Sequence, residues 1–253
     1  MISKSKIKLV HSLEKKKFRD ESQLFVAEGN KLVADLMYTF ECEWMVAKTS
    51  WIATQGNLPV KEIELAEDDD IRKISLLKNP QDVLAVFKQP IYKPEDINPA
   101  GQLVLALDGI QDPGNVGTII RLADWFGIEH ILCNFDTADA FSPKTVQATM
   151  GALARVKVHY TILSEYLAAC QAPIFGTFLE GGANIYGEKL SDSGIIVLGN
   201  EGKGIRQEVE QYIDRRLYIP NYPSDRKASE SLNVATAAAI ICAEFRRRDI
   251  QTD

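Results

Sequence analysis

The stretch from Leu103 to Arg121, LVLALDGIQDPGNVGTIIR, constrains this chain more than any other. Leu103 to Leu107 is an apolar run with the length and composition of a buried strand. It halts at Asp108-Gly109 and passes through Asp112-Pro113-Gly114, which is turn chemistry. The pattern resumes where Val116, Ile119, Ile120 and Ala123 recur at helical spacing. The expectation is a strand, a turn and a helix over 115–126. Asn115 is the expected N-cap, because its side-chain oxygen can accept an orphan amide of the first turn. Arg121 then falls within the helix, with Trp125 and Phe126 one turn further on. An arginine there either snorkels to water or needs a partner.

The second half of the chain keeps this alternation. Strands are expected at 128–133, 156–160, 174–179, 194–198 and 216–219, and helices at 163–170 and 205–213. A helix opening on Ser142-Pro143 and a last helix running from Ser231 to Arg248 complete the pattern. Strands alternating with helices imply an α/β fold with a parallel sheet, in which ligands sit beyond the carboxyl ends of the strands. Two more stretches lie at such ends. One is Ile195-Ile196-Val197-Leu198-Gly199-Asn200-Glu201-Gly202-Lys203-Gly204, whose glycines let backbone approach a ligand. It has neither the G-x-G-x-x-G order of a dinucleotide site nor the Gly-Lys-Ser/Thr of a P-loop. The other is Leu217-Tyr218-Ile219-Pro220, followed after a loop by Ser231-Leu232-Asn233-Val234-Ala235. Ser231 and Asn233 can cap the last helix. Asp225-Arg226-Lys227 lie in the loop between.

The first ninety residues read as a small α/β domain. A helix over 4–13, a Lys15-Lys16-Lys17 loop, strands at 24–27, 44–47, 60–66 and 83–87, and helices at 29–38 and 67–78 are expected. Pro90, Pro94 and Pro99 among polar residues mark a linker. The boundaries are therefore 1–89 for the first domain, 90–101 for the linker and 102–253 for the second domain.

Charge is unevenly spread. Seven basic groups against two acidic ones leave residues 1–20 at +5 in a chain of net charge −6, so the remainder carries −11. A basic arm on an acidic body can meet phosphates, although a solvated helix face explains the same lysines. Cys42, Cys133, Cys170 and Cys242 are scattered, with no CxxC pair and no neighbouring histidine, so neither disulfides nor a metal site is expected. His11, His130 and His159 lie away from every motif and read as surface or packing residues. The charged start and the lack of a long apolar run give no leader or membrane span, and the chain is expected in the cytoplasm.

Asn115-x-Gly117-x-x-x-Arg121 after Asp108-x-x-x-Asp112-Pro113 resembles the first motif of the SpoU (TrmH-type) family of SPOUT RNA methyltransferases. The Leu198-Gly199-Asn200-Glu201-Gly202 loop resembles the family's second motif, and Ile219-Pro220 with Ser231-Leu232-Asn233-Val234 its third, in the same order. More loosely, Phe18-Arg19-x-Glu21-x-x-x-Phe25-Val26-Ala27-Glu28-Gly29 resembles the N-terminal substrate-binding domain of many members.

This resemblance implies a deep trefoil knot in the second domain, a homodimer with its interface beside the cofactor pocket, and S-adenosylmethionine as cofactor. It implies 2′-O-methylation of a ribose in RNA, ribosomal more than transfer RNA, with no metal. By the same resemblance Arg121, Asn115, Glu201, Asn233 and Ser231 form the catalytic group. Leu198, Gly199, Asn200, Gly202, Ile219, Leu232, Asn233 and Thr177 hold the cofactor. A guanidinium is a poor base, so Arg121 is expected to stabilise the developing alkoxide and grip a phosphate rather than to take the proton. Two rivals stand beside this reading: an RNA-binding protein that keeps the scaffold without catalysis, and a nucleotide-dependent oxidoreductase, which lacks the expected ribose-binding acid after a proper fingerprint.

Overall fold

The computed structural model describes residues 2–223 and 231–247. The chain divides into two compact units, one of residues up to 91 with 139–154, the other of residues 92–138 with the chain from 155 on. Among the described residues no helix is long and apolar enough to cross a membrane.

The first unit holds α1 (Lys4–Ser12), α2 (Lys16–Ser22), β1 (Leu24–Glu28), α3 (Asn30–Leu36), β2 (Cys42–Ala47), α4 (Thr49–Ile52), β3 (Ile63–Leu65), α5 (Asp68–Ile74) and β4 (Val83–Lys88). The sheet order is β1-β4-β2-β3, with β4 antiparallel to both its neighbours and β3 parallel to β2. Strand alternation gives each face its own core. Val26, Val46, Leu84 and Val86 pack with Val10 and Leu13 near α1 and with Ile71 and Ile74 of α5. On the opposite pleat Phe25 meets Phe40, Phe87 and Phe141 with ring centroids 5.0–5.4 Å apart. Phe141 is one reason why 139–154 belongs with this unit.

Three local expectations fail here. Lys15-Lys16-Lys17 is not a loop, because Lys16 opens α2. The helix is held by Arg19, whose side chain is 3% exposed. Arg19 donates to the Leu13 and Glu14 carbonyls at 2.6 and 2.9 Å and to the Asp139 carboxylate at 2.6 and 2.8 Å. Strand 60–66 contracts to β3 at the sheet edge, and its apolar Ile63 and Leu65 face out. Glu64 is the partly buried residue there, paired with Lys6 at 2.9 Å, whose ammonium lies 5.0 Å from the Trp44 ring. α5 ends at Ile74 rather than Lys78, because Ser75 turns extended and donates to the buried Glu28 carboxylate. Lys6 and Arg19 are thus committed within the chain, which thins the basic arm.

The second unit holds β5 (Leu103–Asp108), α6 (Pro113–Trp125) and β6 (His130–Cys133); α7 (Pro143–Thr149), with proline in its first turn as expected and Ser142 as its cap, falls in the first unit. The second unit continues with β7 (Lys157–Tyr160), α8 (Leu163–Ala169), β8 (Ile174–Phe178), β9 (Ala183–Asn184), β10 (Gly194–Gly199), α9 (Gln207–Glu210), β11 (Arg215–Tyr218) and α10 (Val234–Arg246). The sheet runs β7-β6-β5-β10-β8-β11-β9 and every pairing is parallel, so the fold is α/β with a parallel sheet. Val104, Ala106, Leu132, Ile195 and Val197 form one core with Leu163, Leu167 and Val209. Val116, Ile119, Ile120 and Ala123 of α6 are buried, as their spacing requires.

Asn115 is not the cap of α6. Asp112 is, accepting the Asn115 amide at 2.9 Å, with Pro113 in the first turn, where its missing N–H costs nothing. The helix expected over 205–213 shortens to the single turn of α9, because Asp214 ties the chain back to β8 through both its carboxylate and its amide on Ile174. The last helix begins at Val234 under Asn233, whose oxygen accepts the Ala235 and Thr236 amides. Its expected end at Arg248, and Asp225-Arg226-Lys227, lie outside the described residues.

His130 and His159 are packing residues, but with a consequence. They face each other across β6 and β7 with Nδ1 and Nε2 3.0 Å apart, both buried. Burial, then the neighbouring imidazole and Lys157, pushes His159 down to about 4 against the weaker pull of Asp96. His130 is lowered chiefly by burial. Both groups therefore gain protons more readily in the unfolded chain, where they titrate near 6.5. The stability they sustain is complete above about pH 6.5 and is lost as pH falls toward about 4, by a few kcal/mol. Urea titrations at about pH 7.5 and pH 5 should reveal this loss, and His159→Gln should reduce it. Equal slopes with pH in both proteins would refute the assignment.

Candidate active site

Because β10, β8 and β11 are neighbours in the sheet, their carboxyl ends lie side by side. There a cavity of about 810 Å³ opens, lined by apolar groups from Leu198, Ile205, Leu217, Ile219, Val234 and Ile241. Thr177, Asn200, Ser231 and Glu180 supply polar groups to the same walls. A volume of roughly 300–1,000 Å³ and an apolar lining with few polar groups are what a small-molecule site has.

The wall at the end of β10 is a closed loop. Asn200 and Gly204 exchange backbone bonds of 3.0 and 2.8 Å, and the Asn200 side-chain oxygen accepts the Gly202 and Lys203 amides at 3.0 and 3.1 Å. Its amide nitrogen donates to the Gly109 carbonyl at 2.7 Å, joining this loop to the turn after β5. Gly199 is required by the closure, since a Cβ there would overlap the Gly204 carbonyl carbon and lie 2.5 Å from the Ile205 nitrogen. Gly199→Ala is expected to cost about 1–3 kcal/mol by overpacking. Denaturant unfolding beside a thermal melt checks this, and a stability like wild type would show that the loop yields freely.

Three distant segments meet at one amide. Asn115 donates from Nδ2 to Glu201 Oε1 at 2.9 Å and accepts from Asn233 Nδ2 at 3.0 Å. Since Asn233 Oδ1 is already committed to the first turn of α10, the orientation of every amide in this row is fixed by its bonds. The starts of α6 and α10 and the glycine loop are thereby held together.

The expected site residues divide accordingly. Thr177, Leu198, Gly199, Asn200, Ile219, Ser231 and Leu232 line the cavity. Asn115, Glu201 and Asn233 form the hydrogen-bonded row, and Gly202 lies in the loop as an exposed residue that donates to Asn200. Arg121 stands apart. It is exposed, and no ion pair or hydrogen bond holds it among the described residues. Asn115 lies on another side of the helix, because six residues turn the side chain by about 240°.

Sequence reasoning missed a second anchor. Asp108, fully buried at the end of β5, accepts from Asn134 at 3.1 Å and from Arg206 through its backbone amide at 2.8 Å and its guanidinium, with Nε at 2.8 Å. The Asp108 carboxylate raises the Arg206 guanidinium above its ordinary range. An acid closing an apolar strand and an arginine directly after a glycine loop were the available signal. Glu180 was missed too, since it follows β8 without any motif. Among the described residues no group of histidine, cysteine and acidic side chains is arranged to hold a metal ion.

Residues 102–243 match the SpoU rRNA Methylase family, and residues 4–85 match the MRM3-like substrate binding domain. The chain is 32% identical over 95% of its length to the 23S rRNA (guanosine(2553)-2′-O)-methyltransferase RlmP of Bacillus subtilis, covering 96% of that protein. It superposes on a TrmH-family protein from Porphyromonas gingivalis with TM-score 0.89 and 42% identity, covering 98% of this chain and 99% of that one. The AdoMet-bound rRNA methyltransferase of Sinorhizobium meliloti gives TM-score 0.84 at 30% identity, covering 98% and 96%. With a glycine loop, an asparagine row and a strand-end cavity in the order of the family's motifs, and a family match across more than half its length, the chain belongs to the SpoU rRNA methylase family.

Proposed function

We propose that this chain transfers a methyl group from S-adenosylmethionine to a ribose 2′-hydroxyl of ribosomal RNA. The observation that carries the reading is the Glu201–Asn115–Asn233 row beside the apolar strand-end cavity. The residues fit an adenosine cofactor: the volume suffices, Leu198, Ile219 and Leu232 offer an apolar berth, and Gly199 keeps backbone rather than a side chain at the wall. Thr177 and Asn200 supply polar edges. When bound, S-adenosylmethionine supplies a methyl already activated on a sulfonium.

The chain's own residues must align the acceptor oxygen and manage its charge. Asn115 and Asn233 fix the loop carrying Glu201, so that the cavity wall and the start of α6 keep one geometry. Arg121 stabilises the alkoxide as the O–H proton leaves and grips a phosphate beside it. Ser231, on the cavity wall, orients the nucleotide. Since Arg121 points to solvent and Trp125, one turn along, is 84% exposed, a second copy of the chain completes this surface and the enzyme works as a homodimer. The reading carries with it the trefoil knot of the family, a rare topology. It also assigns residues 1–89 to RNA binding, 90–101 to a linker and 102–253 to catalysis, in the cytoplasm.

The test is transfer of labelled methyl from S-adenosylmethionine to total RNA of a strain lacking this gene. Label in ribosomal RNA that resists alkaline cleavage, because the attacking hydroxyl is methylated, is the expected result. Label in transfer RNA would change the substrate, and cofactor binding without any transfer would leave the RNA-binding scaffold.

A further inference from the structure

The cavity contains one feature that the family match does not assign. Glu180 is its only charged lining residue among those described, two positions beyond the end of β8 and next in the sheet to the glycine loop of β10. Two of the neutral polar side chains of the walls are engaged. Asn200 uses both ends of its side chain on the loop and on Gly109, and the Thr177 hydroxyl donates to the Val197 carbonyl at 3.1 Å. The Glu180 carboxylate has no hydrogen bond or ion pair among the described residues, so its acceptor sites are available. Glu201, by contrast, is tied to Asn115.

A carboxylate beside an apolar berth selects a ligand that presents hydrogen-bond donors and no phosphate. Adenosine presents two vicinal ribose hydroxyls, which match the two oxygens of one carboxylate. An acid at the end of the strand beside a glycine loop takes ribose hydroxyls in dinucleotide folds for the same reason. We infer that Glu180 is the specificity residue of the cavity, accepting the ribose hydroxyls of the cofactor's adenosine and turning away adenine nucleotides that carry phosphate. The inference rests on the cofactor reading above and deepens it. No cation lines the described cavity to hold a phosphate, which is the second half of the selection.

The experiment is calorimetry of S-adenosylhomocysteine and 5′-methylthioadenosine on wild type, Glu180→Ala and Glu180→Gln, with melting curves alongside. The two ligands share the adenosine, but only the first has an α-ammonium. Glu180→Ala should weaken both by the same factor, roughly tenfold or more, since a bond to a charged acceptor is lost. Melting should be unchanged, because the side chain is exposed. Glu180→Gln should weaken both less and narrow the preference for adenosine over AMP. Weakening of S-adenosylhomocysteine alone would assign Glu180 to the ammonium and overturn the inference, as would affinities within twofold of wild type. A wild-type protein that binds neither ligand would overturn the cofactor reading and this inference with it, whereas wild-type binding with unaffected variants would overturn the inference alone.

Discussion

Arg121→Ala is expected to lower kcat for methyl transfer by about 10²–10³-fold, the usual effect of removing one donor aimed at a developing oxyanion. Cofactor affinity should stay within about twofold, because Arg121 does not line the cavity. The fold should be untouched as well. The side chain is exposed and unpaired among the described residues, and such substitutions stay within about 0.5 kcal/mol. Arg121→Lys keeps the charge and loses the planar fork, so it should fall between the two. Single-turnover transfer to RNA, read with S-adenosylhomocysteine binding and a melt, separates these effects. A kcat that survives the alanine would remove Arg121 from the chemistry.

Arg206→Met is the substitution with the largest expected effect on stability. Asp108 is fully buried and relies on the guanidinium and backbone amide of Arg206, with Asn134 as its third partner. Removing one side of a buried pair leaves a charge without compensation, which costs about 3–5 kcal/mol. The two surviving bonds and the partial exposure of Arg206 put the expected loss near the lower figure, about 3 kcal/mol. Denaturant unfolding measures it. Asp108→Asn paired with Arg206→Met should recover part of the loss, since the double variant buries no charge. A single variant as stable as wild type would mean that water reaches Asp108 without difficulty.

The sequence made the second unit legible where the signals were local. The apolar run of β5, the turn at Asp112-Pro113 and the periodicity of α6 lie within a few turns of one another. The three motif stretches end up at strand ends, as alternation of strands and helices predicts. What could not be read depends on pairs far apart in the chain. Arg19 looks like one more basic residue of an arm until Asp139, 120 positions away, buries it. Asn115 looks like a cap, and the nearby Asp112 does that work while Asn115 reaches 86 positions to Glu201 and 118 to Asn233. Short elements are misjudged for another reason: the two residues of β9 are too brief for a period to appear, and the single turn of α9 reads as a longer helix.

The asparagine row also sets a clock on the making of the protein. Chains are synthesised at about 5–20 residues per second, so the 118 positions between Asn115 and Asn233 separate their emergence by on the order of ten seconds. For most of that interval β5 has been made while the Arg206 that compensates Asp108, 98 positions later, has not. The nascent chain therefore leaves the ribosome with an unfinished cleft. It gains a competent site only when the start of α10 docks.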